Sequence, residues 1–85
     1  MLFRIFTEYT NKEGIERAAN NYFQGYTIFE GVGYWKGSKE KSLLLEVVDK
    51  PSKLETIKKL ASEIKRINNQ EAVLIQTVNN NSLLV

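Results

Sequence analysis

Three short runs of this chain are apolar on both of the faces that a β-strand presents. Side chains alternate from one face to the other along a strand. In residues 42–48 (SLLLEVV), Leu43, Leu45 and Val47 fall on one side and Leu44, Glu46 and Val48 on the other. In residues 70–78 (QEAVLIQTV), Ala72, Leu74, Gln76 and Val78 oppose Val73, Ile75 and Thr77. In residues 2–9 (LFRIFTEY), Leu2 and Phe6 oppose Phe3, Ile5 and Tyr9. An antiparallel sheet with one solvated face carries polar residues there, so a sheet built from these strands needs cover on both sides.

The remaining segments define what can cover it. Thr10-Asn11-Lys12-Glu13 has the form of a capping box. Ile15, Ala18, Ala19, Tyr22 and Phe23 then recur at helical spacing until Gly25 stops the helix. Residues 25–37 (GYTIFEGVGYWKG) form an aromatic, β-branched strand in which Gly31 and Gly33 predict a bulge or a close backbone approach. Turn chemistry over residues 37–40 joins it as a hairpin to the strand at 42–48. Asp49-Lys50-Pro51-Ser52 opens a second helix with proline in its first turn. Its inner stripe is Leu54, Ile57, Leu60, Ala61, Ile64 and Ile67, and Asn68-Asn69 supplies a left-handed cap. Residues 70–78 are the last long strand, 79–81 (NNN) a turn, and 82–85 (SLLV) a candidate for a final short strand.

The order β-α-β-β-α-β is the ferredoxin-like arrangement. The expected fold is an α+β sandwich, with an antiparallel four-stranded sheet and two helices on one face, as a single domain over residues 1–85. Two helices cover one face only. Leaving about five or six large apolar side chains in water on the other forfeits on the order of 10 kcal/mol, comparable to the whole stability of a small domain. The simplest cover is another copy of the chain, and the SLLV tail is suited to extend a neighbour's sheet edge.

The residue inventory removes many chemistries. The chain has no histidine, no cysteine and a single aspartate, Asp49. It therefore offers no thiolate nucleophile, no histidine base and no ordinary zinc site. An all-carboxylate cation cage is also disfavoured, so neither metal nor cofactor is expected. The net charge is only +2, and lysines alternate with glutamates, so no nucleic-acid partner is expected. No apolar run approaches twenty residues, and Arg4 and Glu8 interrupt the first, which predicts neither a membrane segment nor a signal peptide. The absence of a disulfide framework fits a cytoplasmic protein. Any catalysis has to run on glutamate, lysine, hydroxyls, amides and positioning.

Residues 25–37 resemble the second strand of PII signalling proteins, where a G-x-T-V-x-E-x-x-G-x-G-x-x-K-G-like run occurs. Tyr34-Trp35-Lys36-Gly37 is similar to the Y-x-W-K-G segment of CutA proteins. Both families are ferredoxin-like homotrimers whose sheets pack around a three-fold axis, and the resemblance implies such a trimer here. The connection over residues 37–41 is far shorter than the loop that PII proteins use for partners and nucleotides, and the copper role of CutA has no Cys or His to rest on.

Asn69-Gln70-Glu71-Ala72-Val73-Leu74-Ile75, followed by an asparagine turn and Leu83-Leu84, is similar to the N-Q-E-S-V-L-I segment of phage-encoded S-adenosylmethionine lyases. Those are small trimers of the same fold class with the substrate between subunits, and their functional glutamate falls on Glu71. The implied reaction is intramolecular. The methionine carboxylate attacks its own side chain, giving homoserine lactone and methylthioadenosine. It needs a near-attack conformer in a site of suitable polarity, not an external nucleophile or a strong base.

These readings name the candidate residues. Glu71 is either the catalytic carboxylate that anchors the substrate ammonium or a solvated strand end paired to a lysine. Gln70 is a candidate for shaping the pocket. Tyr34 or Trp35 either faces the sulfonium or anchors a core or interface; the resemblance to the lyases also implies a site tyrosine, for which Tyr34 and Tyr26 are the local candidates. Glu46, mid-strand, is an interface ion pair or a site acid of raised pKa. Glu30 contacts a ligand or forms an ion pair, with Lys36 as one partner. Two functions remain open: an S-adenosylmethionine lyase, or a non-catalytic PII/CutA-like trimer that binds a metabolite or a partner protein.

Overall fold

The computed structural model describes residues 1–79. The expected strand at 82–85, and the part of the asparagine turn beyond Asn79, lie outside the described residues. The elements are β1 (Leu2–Glu8), α1 (Lys12–Tyr22), β2 (Thr27–Trp35), β3 (Ser38–Val48), a 3-10 turn (Pro51–Lys53), α2 (Leu54–Asn68) and β4 (Leu74–Val78). The four strands form one antiparallel sheet in the order β2-β3-β1-β4. This is the ferredoxin-like α+β arrangement expected from the element order.

One sheet face packs on the helices. Phe3 and Ile5 of β1 and Leu43, Leu45 and Val47 of β3 are buried against Ile15, Ala18 and Ala19 of α1 and Ile57, Leu60, Ala61 and Ile64 of α2. These are the buried members of the helical stripes read from sequence; Tyr22, Leu54 and Ile67 are half-buried, and Phe23, expected inside α1, is buried as its extended C-cap. Among the described residues no element covers the other face. Phe6, Phe29, Leu74 and Val48 are 36%, 48%, 63% and 67% exposed on it. At its centre Arg4 Nε donates to Glu46 Oε2 at 2.8 Å, and Arg4 also reaches Gln76 Oε1 at 3.4 Å. Arg4 and Glu46 are direct cross-strand partners, which explains how a mid-strand carboxylate is accommodated.

Four local expectations are corrected. The helix cap is Asn11, one residue later than the capping box implied; its side chain accepts from the Gly14 N–H at 2.9 Å. The β2–β3 turn is Lys36-Gly37, not residues 37–40. Both residues have positive φ, 50° and 80°, as a two-residue type I′ hairpin requires, and β3 consequently begins at Ser38. Gly31 and Gly33 form no bulge, because the β2–β3 register runs without a break from Thr27↔Glu46 to Trp35↔Ser38. Finally, β4 begins at Leu74 instead of Gln70. Helix α2 closes as expected, with Asn69 in the left-handed conformation (φ 53°, ψ 44°).

Candidate functional site

The late start of β4 creates the site. After α2, Asn69 donates its N–H to Arg66 O at 3.2 Å and Gln70 donates to Lys65 O at 2.9 Å, closing the helix in a Schellman-like cap. The Gln70 side chain then turns inward. Its Oε1 accepts from the Thr7 hydroxyl, from Asn68 Nδ2 at 2.8 Å and from the Glu8 N–H at 3.4 Å, while its Nε2 donates to Ala72 O at 3.2 Å. Thr7 is only 5% exposed. It ends the helix-side row of β1 after Phe3 and Ile5, where a buried hydroxyl needs a partner. Asn68 Nδ2 completes the cluster, donating to Thr7 Oγ1 at 3.0 Å and Glu8 O at 3.1 Å. These bonds hold residues 70–73 against the end of β1 and out of the ladder, so pairing starts only at Phe6↔Leu74.

Between this segment and the β2–β3 hairpin lies an open cleft of about 670 Å³. Phe6, Gly33, Ser42 and Leu74 line it, together with Trp35 of the hairpin. Glu8, Glu40 and Glu71 reach it from β1, β3 and the segment before β4. A Cβ built on Gly33 meets nothing nearer than Ser42 Oγ at 3.7 Å, and its φ is not positive. A side chain at Gly33 would therefore enter the cleft without a clash or backbone strain. Gly33→Val is expected to leave the melting temperature unchanged or slightly higher, since glycine in a strand interior costs about 0.5–1 kcal/mol, while the added side chain fills the cleft. Thermal melts and a ligand titration on the same variant check both halves, and a lowered melting temperature would contradict the packing argument.

Of the residues singled out from sequence, Gln70, Glu71, Tyr34 and Trp35 border this one cleft. Glu71 is exposed and takes part in no ion pair among the described residues. Trp35 and Tyr34 are 66% and 71% exposed. As consecutive strand residues they leave β2 on opposite sides, and Trp35 shares the open face with Phe6, Ser42 and Leu74. The Lys36 ammonium stands 6.0 Å from the Trp35 ring centroid.

Glu46 and Glu30 do not line the cleft. Glu46 is held by Arg4. Glu30 is bound by Lys12 of α1 at 2.9 Å, and that hydrogen-bonded ammonium holds its carboxyl below the ordinary carboxylate range while Lys12 is raised in turn. Tyr26 donates to Asn20 Oδ1 at 2.6 Å, facing α1; burial, then the nearby Glu16, pushes its phenol up. Sequence reasoning passed over Thr7, Glu8, Glu40, Ser42 and Asn68. Glu8 carries a weak signal, being two residues from Phe6 and so on its face. The others are placed by register or by a tertiary hydrogen bond and have no local signature. Among the described residues no group of three or more His, Cys, Asp or Glu could hold a metal ion, and no helix is long and apolar enough to cross a membrane.

Solved structures that superpose on this chain include two that are informative here. A phage S-adenosylmethionine lyase in its apo state superposes with a TM-score of 0.68 at 17% identity, over 87% of this chain and 75% of the lyase chain. The fold is shared with that lyase. A DUF3240-family protein from Shewanella baltica superposes with a TM-score of 0.68 at 11% identity, over 99% of this chain and 94% of its own. At these identities the likeness is one of fold. No family model and no curated protein matches the sequence.

Proposed function

We propose that this chain is a small-ligand protein that works as a homotrimer, with the Glu71 cleft at the seam between copies. Its most concrete ligand is S-adenosylmethionine, cleaved to homoserine lactone and methylthioadenosine. The observation that carries this reading is the conjunction at residues 69–75. The segment that resembles the lyases in sequence is the one that walls the cleft, within a fold shared with such an enzyme. A cytoplasmic location goes with it.

The chemistry suits the available groups. One carboxylate oxygen of the substrate attacks Cγ of its own methionyl chain; the C–O bond forms as the C–S bond breaks, and the electron pair passes to sulfur. The carboxylate and sulfonium charges cancel, and no proton moves. A site without histidine or cysteine suffices, provided that it holds the folded conformer. Glu71 anchors the ammonium and the Trp35 ring faces the sulfonium. The open sheet face, with Phe6, Phe29, Val48 and Leu74 exposed, is the surface that the copies bury, closing a cleft that one chain leaves open.

Incubation of the purified protein with S-adenosylmethionine, with chromatography for methylthioadenosine, tests the activity, and light scattering of the same sample tests the assembly. The expected result is stoichiometric formation of methylthioadenosine and homoserine lactone by a species of three chains. Saturable binding without turnover assigns the cleft to a non-catalytic metabolite-binding trimer. No binding, or a stable single chain at micromolar concentration, overturns the reading.

A further inference from the structure

We propose that the cleft selects organic cations and rejects phosphate-bearing ligands, with Glu8 and Glu40 as specificity-determining residues beside Glu71. The inference rests on the reading of this cleft as a ligand site, and it names the class of ligand by charge.

Three observations support it. First, three carboxylates from three separate segments line one cleft, and no lysine or arginine lines it with them. This is the reverse of the chain as a whole, whose net charge is +2. Second, all three cleft carboxylates stand without a cation among the described residues, as Glu13, Glu63 and Asp49 do elsewhere on the surface. Glu16, Glu30, Glu46 and Glu55 are each ion-paired, whereas Glu8, Glu40 and Glu71 join no ion pair among the described residues. Glu40 stands opposite Gly33, and Glu8 opposite Ser42, both on the open face. Third, the aromatic wall already attracts a cation, since the Lys36 ammonium stands 6.0 Å from the Trp35 centroid, the geometry in which a ring quadrupole favours positive charge.

The carboxylates are not grouped as metal ligands, and the apolar walls Phe6, Leu74 and Trp35 suit a cation with a carbon skeleton. A nucleotide meets the opposite field: its phosphates enter a cleft lined by three like charges, with the Lys36 ammonium over Trp35 standing outside the lining. A sulfonium or ammonium nucleoside meets complementary charge and an indole face. The cleft thus distinguishes a phosphate-free adenosyl cation from a nucleotide triphosphate, although both carry the same base and ribose.

Trp35 is the only tryptophan in the chain, so its emission reports on the cleft directly. The full-length chain is titrated with sinefungin, which carries an amine in place of the sulfonium and is not cleaved, with S-adenosylhomocysteine, whose sulfur is neutral, with ATP, and with tetramethylammonium as a cation lacking the nucleoside. Sinefungin is expected to bind at least about tenfold more tightly than S-adenosylhomocysteine, and ATP to give no saturable change at millimolar concentration. In Glu8→Gln/Glu40→Gln the sinefungin preference falls to about threefold or less, with S-adenosylhomocysteine losing affinity by the smaller factor. The single variants serve if the double variant does not fold, as judged by circular dichroism.

Saturation by tetramethylammonium that the glutamine changes abolish, without binding of any adenosyl ligand, sinks the lyase reading and leaves the cation selectivity standing. ATP binding as tight as sinefungin, an unchanged preference in the folded variants, or no response to any cation overturns the selectivity itself.

Discussion

Gln70→Ala is expected to lower the unfolding free energy by about 1–3 kcal/mol and to abolish ligand binding in the same protein. The range is the cost of leaving buried hydrogen-bonding groups without partners. Gln70 Oε1 is the common acceptor for the Thr7 hydroxyl, Asn68 Nδ2 and the Glu8 N–H. Thr7 is 5% exposed, so water does not readily replace the lost acceptor. Against a small-domain stability of about 5–15 kcal/mol the loss is readily measured. It should move the urea midpoint with little change in slope, because the folded core remains. Binding is lost because the same side chain ties residues 70–73 to β1, and those residues wall the cleft. Gln70→Glu preserves the acceptor but sets a carboxylate oxygen where Nε2 donated to Ala72 O, so it should recover part of the stability. An unchanged midpoint for the alanine variant would show that the clamp does not stabilise the fold.

Glu71→Gln should separate the two effects, losing function at constant stability. Glu71 is exposed and without an ion pair among the described residues, and substitutions at such positions shift stability by no more than about 0.5 kcal/mol. Under the proposed lyase reading its charge-assisted bond to the substrate ammonium contributes about 1.5–3 kcal/mol, so kcat/KM should fall by about 10–100-fold. Initial rates of methylthioadenosine release, with melts of both proteins, separate the two effects. Equal rates for wild type and variant would remove Glu71 from the site, and a large drop in melting temperature would recast it as structural.

How much of this was legible beforehand depends on the range of the interaction concerned. The buried stripe of α2, Ile57, Leu60, Ala61 and Ile64, follows from spacing within one helix, and the left-handed Asn69 from the cap that ends it. The turn was misplaced because Lys36 is an unusual residue for positive φ, and the Gly-Ser-Lys-Glu sequence beside it looks more turn-like. The start of β4 was misplaced because the alternation of residues 70–73 is a valid strand pattern. A glutamine side chain bound to Thr7, 63 positions away, keeps them out of the ladder. In the candidate site, Gln70 and Glu71 were visible as neighbours on one segment. Glu8 and Glu40 join them only through the pairings Glu8↔Ser42 and Gly33↔Glu40.

Element order, helical faces and a sheet with more apolar surface than two helices can hide were determined by the order of residues alone, because each arises from periodicities a few positions long. Tertiary structure decided which carboxylates meet a cation and which face an open cleft. Arg4 pairs with Glu46 and Lys12 with Glu30, while Glu8, Glu40 and Glu71 come from distant segments to line one cleft with Trp35. Register governs those meetings, and a strand shifted by one residue would turn every one of these side chains to the opposite face.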